Sequence, residues 1–474
     1  MVLKSKTHLL SCIIFATLAC FTPGASGHGI SSPQLRDSVP QRWNYESDYS
    51  ASLPSSDDWW QSFEDPLLTD LIRRGEERSL SLSATLHRIE MARQNWLTAK
   101  AAYFPSLEIS AGWNAESESG MTSRSPGKAM NMCFFDLGLS FSWEIDLFGR
   151  VAANARGAKA SLNVAKADYN ASMITLSANI ASAYFNYRLA QARIDVAGSQ
   201  ISSQKRIFEI AEARYDAGLV AKLDVAQART MLFSTEATLP ALESLKRASL
   251  NSLALLIGCY PEQLAILLET PQPLPNAFRI VNIGVPADLI RRRPDILEAE
   301  YKLAAYAADL GIAKKDFLPV LSINGSIGTS ARRFDKLFSK ESLTYSVAPT
   351  LSWTIFDGLS RKYRVASAKE QMLAGIDEYN LVVMNAVIET ENALTSYDSS
   401  LQQISLFQKV LQASKEALEL AVDRYKRGLA PFSDVMNAQI STLNYENTLL
   451  ETRGAALNSL VKVYTAVAGS PENM

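Results

Sequence analysis

The sequence predicts a membrane α+β fold in which several chains share one β-barrel that continues into long helices. Three observations predict it. One structural unit is stated twice in 474 residues. Each unit holds two stretches of apolar–polar alternation, the mark of strands with one apolar face. Each unit also holds a long proline-free run with a heptad seam, the mark of a helix packed along its whole length.

The chain opens MVLKSKTHLLSCIIFATLAC, with Lys4 and Lys6 ahead of an apolar stretch from Leu9 to Ala19. That is the shape of a secretory signal, assigned to residues 1–27. Two endings compete: cleavage before Cys20, which would be lipidated, or ordinary cleavage at Ala25-Ser26-Gly27. Past this segment no apolar run approaches the length of a transmembrane helix, so a membrane can be entered only by strands. The net charge of −2 and the absence of a basic block argue against a nucleic-acid binder. Cys133 and Cys259 are the cysteines beyond the signal, and outside the signal and its border His87 stands alone, so neither a zinc site nor a disulfide framework is encoded. No cofactor is expected. His87 reads as a packed or solvated helix residue.

The repeat is clearest in two phrases, RYDAGLVAKLDVAQA (Arg214–Ala228) and RYKRGLAPFSDVMNA (Arg424–Ala438). FPSLEISAGW and LPVLSINGSI stand upstream of them, as do LSFSWEIDLFGR and APTLSWTIFDGLSR. LIRR precedes both copies, and a helix runs out at Gly258 and at Gly469. The first helix–strand–strand–helix unit therefore spans 28–260 and the second 286–474. Between them, 261–285 carries Pro271, Pro273 and Pro275 and reads as an extended linker.

In the first unit Leu107, Ile109, Ala111 and Trp113 alternate with polar or small residues, as do Leu137, Leu139, Phe141, Trp143 and Ile145. Leu321, Ile323, Gly325 and Ile327 form one such series in the second unit. Tyr345, Val347, Leu351, Trp353 and Ile355 form the other. A sheet packed on a soluble core fits this pattern. A membrane barrel fits it more closely, because the inner residues are small and polar and the aromatics stand at the strand ends. Trp143 and Trp353 fall beside Tyr103, Phe104 and Phe317, where a girdle belongs. Glu108 and Glu144 read as lumen lining, and nothing suggests an enzyme. Pro349 should sit at a bulge or strand end.

From Arg150 to Tyr215 there is no proline, and a seam runs Ala155, Ala158, Leu162, Ala165, Tyr169, Met173, Leu176, Ile180, Ala183, Tyr187, Ala190, Ile194, Ala197 and Ile201. The second unit repeats it from Val365 to Leu411. Such a helix is about 100 Å long. Its small seam residues suit a multi-helix wall. Gly218 and Gly428 can cap these rods in the left-handed conformation. Pro431 suits a first-turn position, and Asp224 and Asp434 fall in the first turn of the returning helices. Four strands cannot close a barrel, for which about eight is the floor. Two, three or four chains must therefore combine.

WWQSFEDPLLTDLI (Trp59–Ile72), SWEIDLFGR (Ser142–Arg150), VPADLIRRRPDILEAE (Val285–Glu300), FLPVLSINGSIG and the two tip phrases occur in that order. With them the chain resembles the TolC family of outer-membrane channel proteins, in its lipoprotein-type (NodT/OprM-like) branch. The resemblance implies a homotrimer with a shared 12-stranded β-barrel in the outer membrane and a coiled-coil α-barrel across the periplasm. It implies passive efflux, driven by an inner-membrane transporter through a periplasmic adaptor protein. It also implies site residues. Asp434 matches a pore-lining gate position, with Asn437 one turn on where some relatives carry a second acid. Asp224 and Tyr425 match a contact that keeps the tip shut. Gly218-Leu219 and Gly428-Leu429 match the turns met by the adaptor. Ala430 stands where some relatives carry a tip arginine, for which Lys426 or Arg427 could substitute. Two other functions compete with small-molecule efflux: a channel for type I protein secretion, and a secreted structural coiled coil.

Overall fold

The computed structural model describes residue 40 and residues 59–118, 130–276 and 292–468. The predicted signal segment with Cys20, the end of the predicted linker and the tip of the first strand loop lie outside them. A 3-10 turn, Trp59–Phe63, leads into α1 (Pro66–Arg78) and α2 (Leu80–Ala101). A hairpin of β1 (Ser106–Glu118) and β2 (Met130–Ile145) follows. Then come α3 (Arg150–Asp216), α4 (Lys222–Glu236) and α5 (Leu239–Ile257). After α6 (Pro261–Leu268) the pattern recurs as α7 (Pro294–Lys315), β3 (Val320–Ala331), β4 (Leu343–Ser352), α8 (Ser360–Lys426) and α9 (Phe432–Val467).

The two rods, α3 and α8, are 67 residues each, about 100 Å at helical rise. Each starts behind an aspartate whose carboxylate accepts from the exposed first-turn amides, as helix N-termini require. Asp146 accepts from Val151 N at 3.0 Å and Ala152 N at 2.7 Å, and Asp357 from Arg361 N at 3.1 Å. No seam residue of α3 is exposed. A second buried stripe, Ser177, Ala181, Tyr184, Phe185 and Arg188, was not part of the seam. It exists because α1 and the 3-10 turn pack there.

That packing explains two of the quoted motifs. In WWQSFEDPLL, Trp59 stacks on Tyr464 with ring centroids 5.5 Å apart, and Phe63 meets Phe185 at 5.0 Å. Asp65 caps α1, accepting from Leu67 N and Leu68 N, and its other oxygen accepts from the Tyr184 hydroxyl at 2.7 Å. In RRRPD, Pro294 opens α7. Arg293 donates to both Asp295 oxygens, to Glu389 at 2.8 Å and to the Ala466 carbonyl at 3.0 Å. These contacts join one apolar core around the middle of the rods.

The sheet is antiparallel throughout, in the order β1-β2-β3-β4. Its register carries the predicted alternation from strand to strand. Leu107 opposes Phe141, Phe141 opposes Gly325 and Gly325 opposes Val347. One row on, Glu108, Ser140, Ser326 and Ser346 line up on the other face. The apolar face is bare, with Ile109 75% and Tyr345 80% exposed. The polar face forms a trough of about 340 Å³ lined by Ser106, Glu108, Ser140, Ser142, Asn324 and Ser346 among others. A sheet covering a soluble core would bury its apolar side; this one presents it outward.

Four expectations are corrected. Residues Pro261–Leu268 form a helix, because Pro261 fits the first turn and Leu264 and Leu268 are buried; among the described linker residues 269–276 are irregular, in keeping with the three prolines there. β1 runs past the predicted alternation into polar Ala115–Glu118, and β2 begins ahead of it, at Met130 in MNMCFFD, since ladder hydrogen bonds need no alternation. β4 stops at Ser352, leaving Trp353 and Ile355 beyond it. Pro349 sits inside β4 opposite Ile323 and not at a bulge; within one chain β4 is the edge strand, where proline is tolerated. The aromatic ends fall as expected: the Trp143 indole donates to the Tyr103 carbonyl at 2.9 Å, and Trp353 to that of Phe317 at 3.0 Å.

Candidate functional site

At the ends of the rods away from the sheet, both phrases of the repeat make the same turn. Gly218 and Gly428 have φ of 73° and 74°, values that a Cβ would strain. Gly218 N donates to Tyr215 O and Leu219 N to Arg214 O; Gly428 N donates to Tyr425 O and Leu429 N to Arg424 O. This paired ending closes the last carbonyls of a helix. The leucines that follow stay in solvent: Leu219 is 67% and Leu429 65% exposed. The four predicted adaptor-contact residues thus form two matching apolar knuckles.

The returning helices place the acids. Asp224 lies in the first turn of α4 and Asp434 in that of α9, where the helix dipole favours a carboxylate. Pro431 stands one residue ahead of α9, at its cap. Asp434 and Asn437 are exposed and share one face, three residues apart. Asp224 is drawn inward: the Tyr425 hydroxyl donates to Asp224 Oδ2 at 3.1 Å. The structure thus brings Asp224 and Tyr425 together within one chain and leaves Asp434 and Asn437 on a separate, open face.

A small core holds these groups. Ile207, Ala211, Ala228, Met231, Phe432 and Val435 pack around Tyr425, whose ring meets Phe432 edge-on at 5.4 Å. Burial pushes the Tyr425 phenol up to about 12, with the Asp224 charge and hydrogen bond adding to the shift and Arg214 opposing it.

Arg214 is the tip residue that the sequence reading missed. Its guanidinium lies 4.8 Å from the centre of the Tyr425 ring and donates to the carbonyls of Tyr425 and Lys426. The two candidate substitutes do other things. Arg427 pairs with Asp423 on its own helix at 3.1 Å, and Lys426 contributes its carbonyl. Because Arg214 and Arg424 occupy equivalent places in the repeat, sequence alone gave no sign that one turns inward and the other, exposed, does not.

Of the two strand acids, Glu108 lines the polar trough. Glu144 is instead tied to Arg150 at 2.6 Å, at the start of α3. No group of His, Cys, Asp and Glu able to hold a metal occurs among the described residues.

The family described as "Outer membrane efflux protein" matches residues 71–259 and 285–469. Nodulation protein T of Rhizobium leguminosarum bv. trifolii is 30% identical over 386 residues, covering 81% of each chain. Outer membrane protein OprJ of Pseudomonas aeruginosa is 29% identical over 413 residues, 87% of this chain and 86% of that one. Among solved structures, the outer-membrane channel OprN superposes with a TM-score of 0.84 at 30% identity, over 93% of this chain and 99% of its own.

Proposed function

The chain belongs to the outer membrane efflux protein family, and on that premise we propose that three copies close into one export conduit. It is the outer-membrane channel component of a tripartite efflux system, working with a periplasmic adaptor and an inner-membrane pump. The sheet carries this reading. It has a bare apolar face, a concave polar face and two open edges, β1 and β4. Pairing β4 of one copy with β1 of the next satisfies both edges. Three copies give twelve strands, with the serines and Glu108 inside and Ile109, Trp113 and Tyr345 against lipid. The rods then stand side by side as a hollow α-barrel, ending in three pairs of hairpin tips.

Within that conduit Asp434 and Asn437 line the narrow end, Asp224, Tyr425 and Arg214 hold it shut, and Leu219 and Leu429 meet the adaptor. The protein moves substrate passively, along polar walls to a shape-gated end. Cleavage before Cys20 would leave that residue to anchor the mature chain by an acyl group, as the likeness to the lipoprotein-type branch suggests. The cargo is small molecules, a reading supported by the Arg293-Pro294-Asp295 segment typical of the lipoprotein-type branch.

The test is reconstitution. Purified mature protein should form ion-conducting pores in planar bilayers and run as a heat-modifiable trimer. Deleting the gene should raise drug susceptibility, and secreted proteins should still leave the cell. A water-soluble monomer that forms no pore would end the reading.

A further inference from the structure

The helix ends nearest the sheet carry more cations than their own helices call for. α2 ends with Lys100, and α7 with Lys314 and Lys315, where lysine balances the negative end of a helix. α3 and α8 start at the same level, at their positive ends; their first turns hold no acid, and the carboxylates there are Asp146 and Asp357 just ahead of them. Yet Arg156, Lys159, Lys362 and Arg364 follow, against the helix dipole. Arg364 has Asp316 at 3.6 Å. No ion pair holds Arg156, Lys159 or Lys362 among the described residues.

The arrangement at Trp96 is more specific. Lys100 Nζ lies 4.6 Å and Lys159 Nζ 4.7 Å from the centre of its ring. Two ammonium groups from neighbouring helices meet one half-buried indole, and neither has an ion-pair partner among the described residues. Each gains from the ring, but each is repelled by the other unless an anion joins them. Nearby, Lys315 donates to the Gly149 carbonyl at 2.7 Å, and its amine is held below the usual lysine range by burial first and by the charge of Arg156 second, with Asp146 opposing.

This collar is continuous with the apolar face of the sheet. Between them lie Tyr103, Phe104 and Phe317, all exposed, with the indoles of Trp143 and Trp353 fastened to the carbonyls of Tyr103 and Phe317. Aromatic residues of that kind mark the edge of a hydrocarbon layer. Headgroups occupy about 5–8 Å beyond that edge. Helical side chains lean toward the N-terminus of their helix, which for Lys159 is the sheet end and for Lys100 the opposite one, so the two amines meet at Trp96 from either side.

We propose that the collar binds anionic phospholipids of the leaflet on the helical side of the sheet, with Lys100 and Lys159 gripping the phosphate over Trp96. The proposal rests on the outer-membrane reading above. Continuity with the apolar face selects a lipid over a soluble anion, since acyl chains can lie on the sheet while the headgroup meets the lysines.

Native mass spectrometry of the full mature protein in detergent, titrated with phosphatidylglycerol or phosphatidylethanolamine, tests it. Phosphatidylglycerol should bind more tightly, and K100Q/K159Q should weaken it by about five-fold per charge removed. K205Q, much further along α3, should bind as the unmodified protein does. Equal binding of the two lipids, an unaffected double variant, or displacement by millimolar inorganic phosphate alone would overturn the proposal. The same preparations are assayed for pores in planar bilayers. Normal pores with no lipid preference sink the collar alone, whereas absence of pores sinks the channel reading and the collar with it.

Discussion

Tyr425 and Asp224 are 201 residues apart in the chain and meet at 3.1 Å, joining the end of one rod to the start of the other returning helix. The bond crosses the two halves of the repeat, so it must break if the hairpins separate. Tyr425→Phe keeps the ring in its core and removes only the hydroxyl. Allowing for the partial exposure of Asp224, the loss is about 1 kcal/mol, about five-fold toward the open tip. Single-channel open probability reads this directly; an unchanged value would remove the bond from the closed state.

The same pair sets a pH dependence. The phenol sits at about 12 in the packed tip, against about 10 in a free chain. A raised value means that the packed tip favours the neutral phenol. Its contribution is complete below about pH 10 and is lost as pH rises through about 12. Closed-state stability should therefore be flat from neutral pH to about 9 and fall over the next three units. Tyr425→Phe should lack that fall. A wild-type channel indifferent to alkali would contradict the assignment.

Arg214 should matter more than Tyr425. It adds a cation–π contact to two charge-assisted hydrogen bonds with backbone carbonyls, together about 2 kcal/mol for a partly exposed group. Arg214→Ala should raise open probability about thirty-fold. Arg214→Lys, which keeps the charge but loses the planar fork, should fall between. Should Arg214→Ala open the channel less than Tyr425→Phe, the ranking is wrong.

The periodic features of this chain were legible, and the pairings were not. Alternation gave four strands and the side of each that is apolar. A seam of small residues gave two rods, and glycine spacing gave both turns. These depend on local sterics and solvent contrast, which a sequence states directly. Arg214 was hidden because its repeat partner Arg424 has the same letter and a different environment. Pro349 was misplaced because an edge strand is a property of the sheet and not of the residue. The helix at Pro261–Leu268 was overlooked because downstream prolines suggested an extended chain, while burial of Leu264 and Leu268 decided the matter.

The Arg293 cluster should carry stability without touching conduction. Its side chain is 11% exposed, and it serves Asp295, Glu389 and the Ala466 carbonyl together. Removing one partner of a buried pair costs about 3–5 kcal/mol. Here the two carboxylates are 40% and 59% exposed, so water compensates them in part and about 2 kcal/mol is expected. Arg293→Ala should lower the temperature of the heat-modifiable gel shift and leave single-channel conductance alone. A conductance change would place the cluster in the gate.

Asp434 tests the narrow end itself. It is exposed in the first turn of α9, on one face with Asn437 and turned away from the Tyr425 core. Around a threefold axis three such carboxylates concentrate cations and repel anions. Each further like charge in the same place adds less to a field already set, so added charge gives diminishing returns. Asp434→Ala should reduce cation-over-anion selectivity on the order of ten-fold, with little effect on folding. Asn437→Asp should raise selectivity by less than that, because the second ring would ionise against the first. Reversal potentials in a salt gradient measure both. If Asp434→Ala leaves the reversal potential where it was, the narrowest point of the conduit lies elsewhere along the rods.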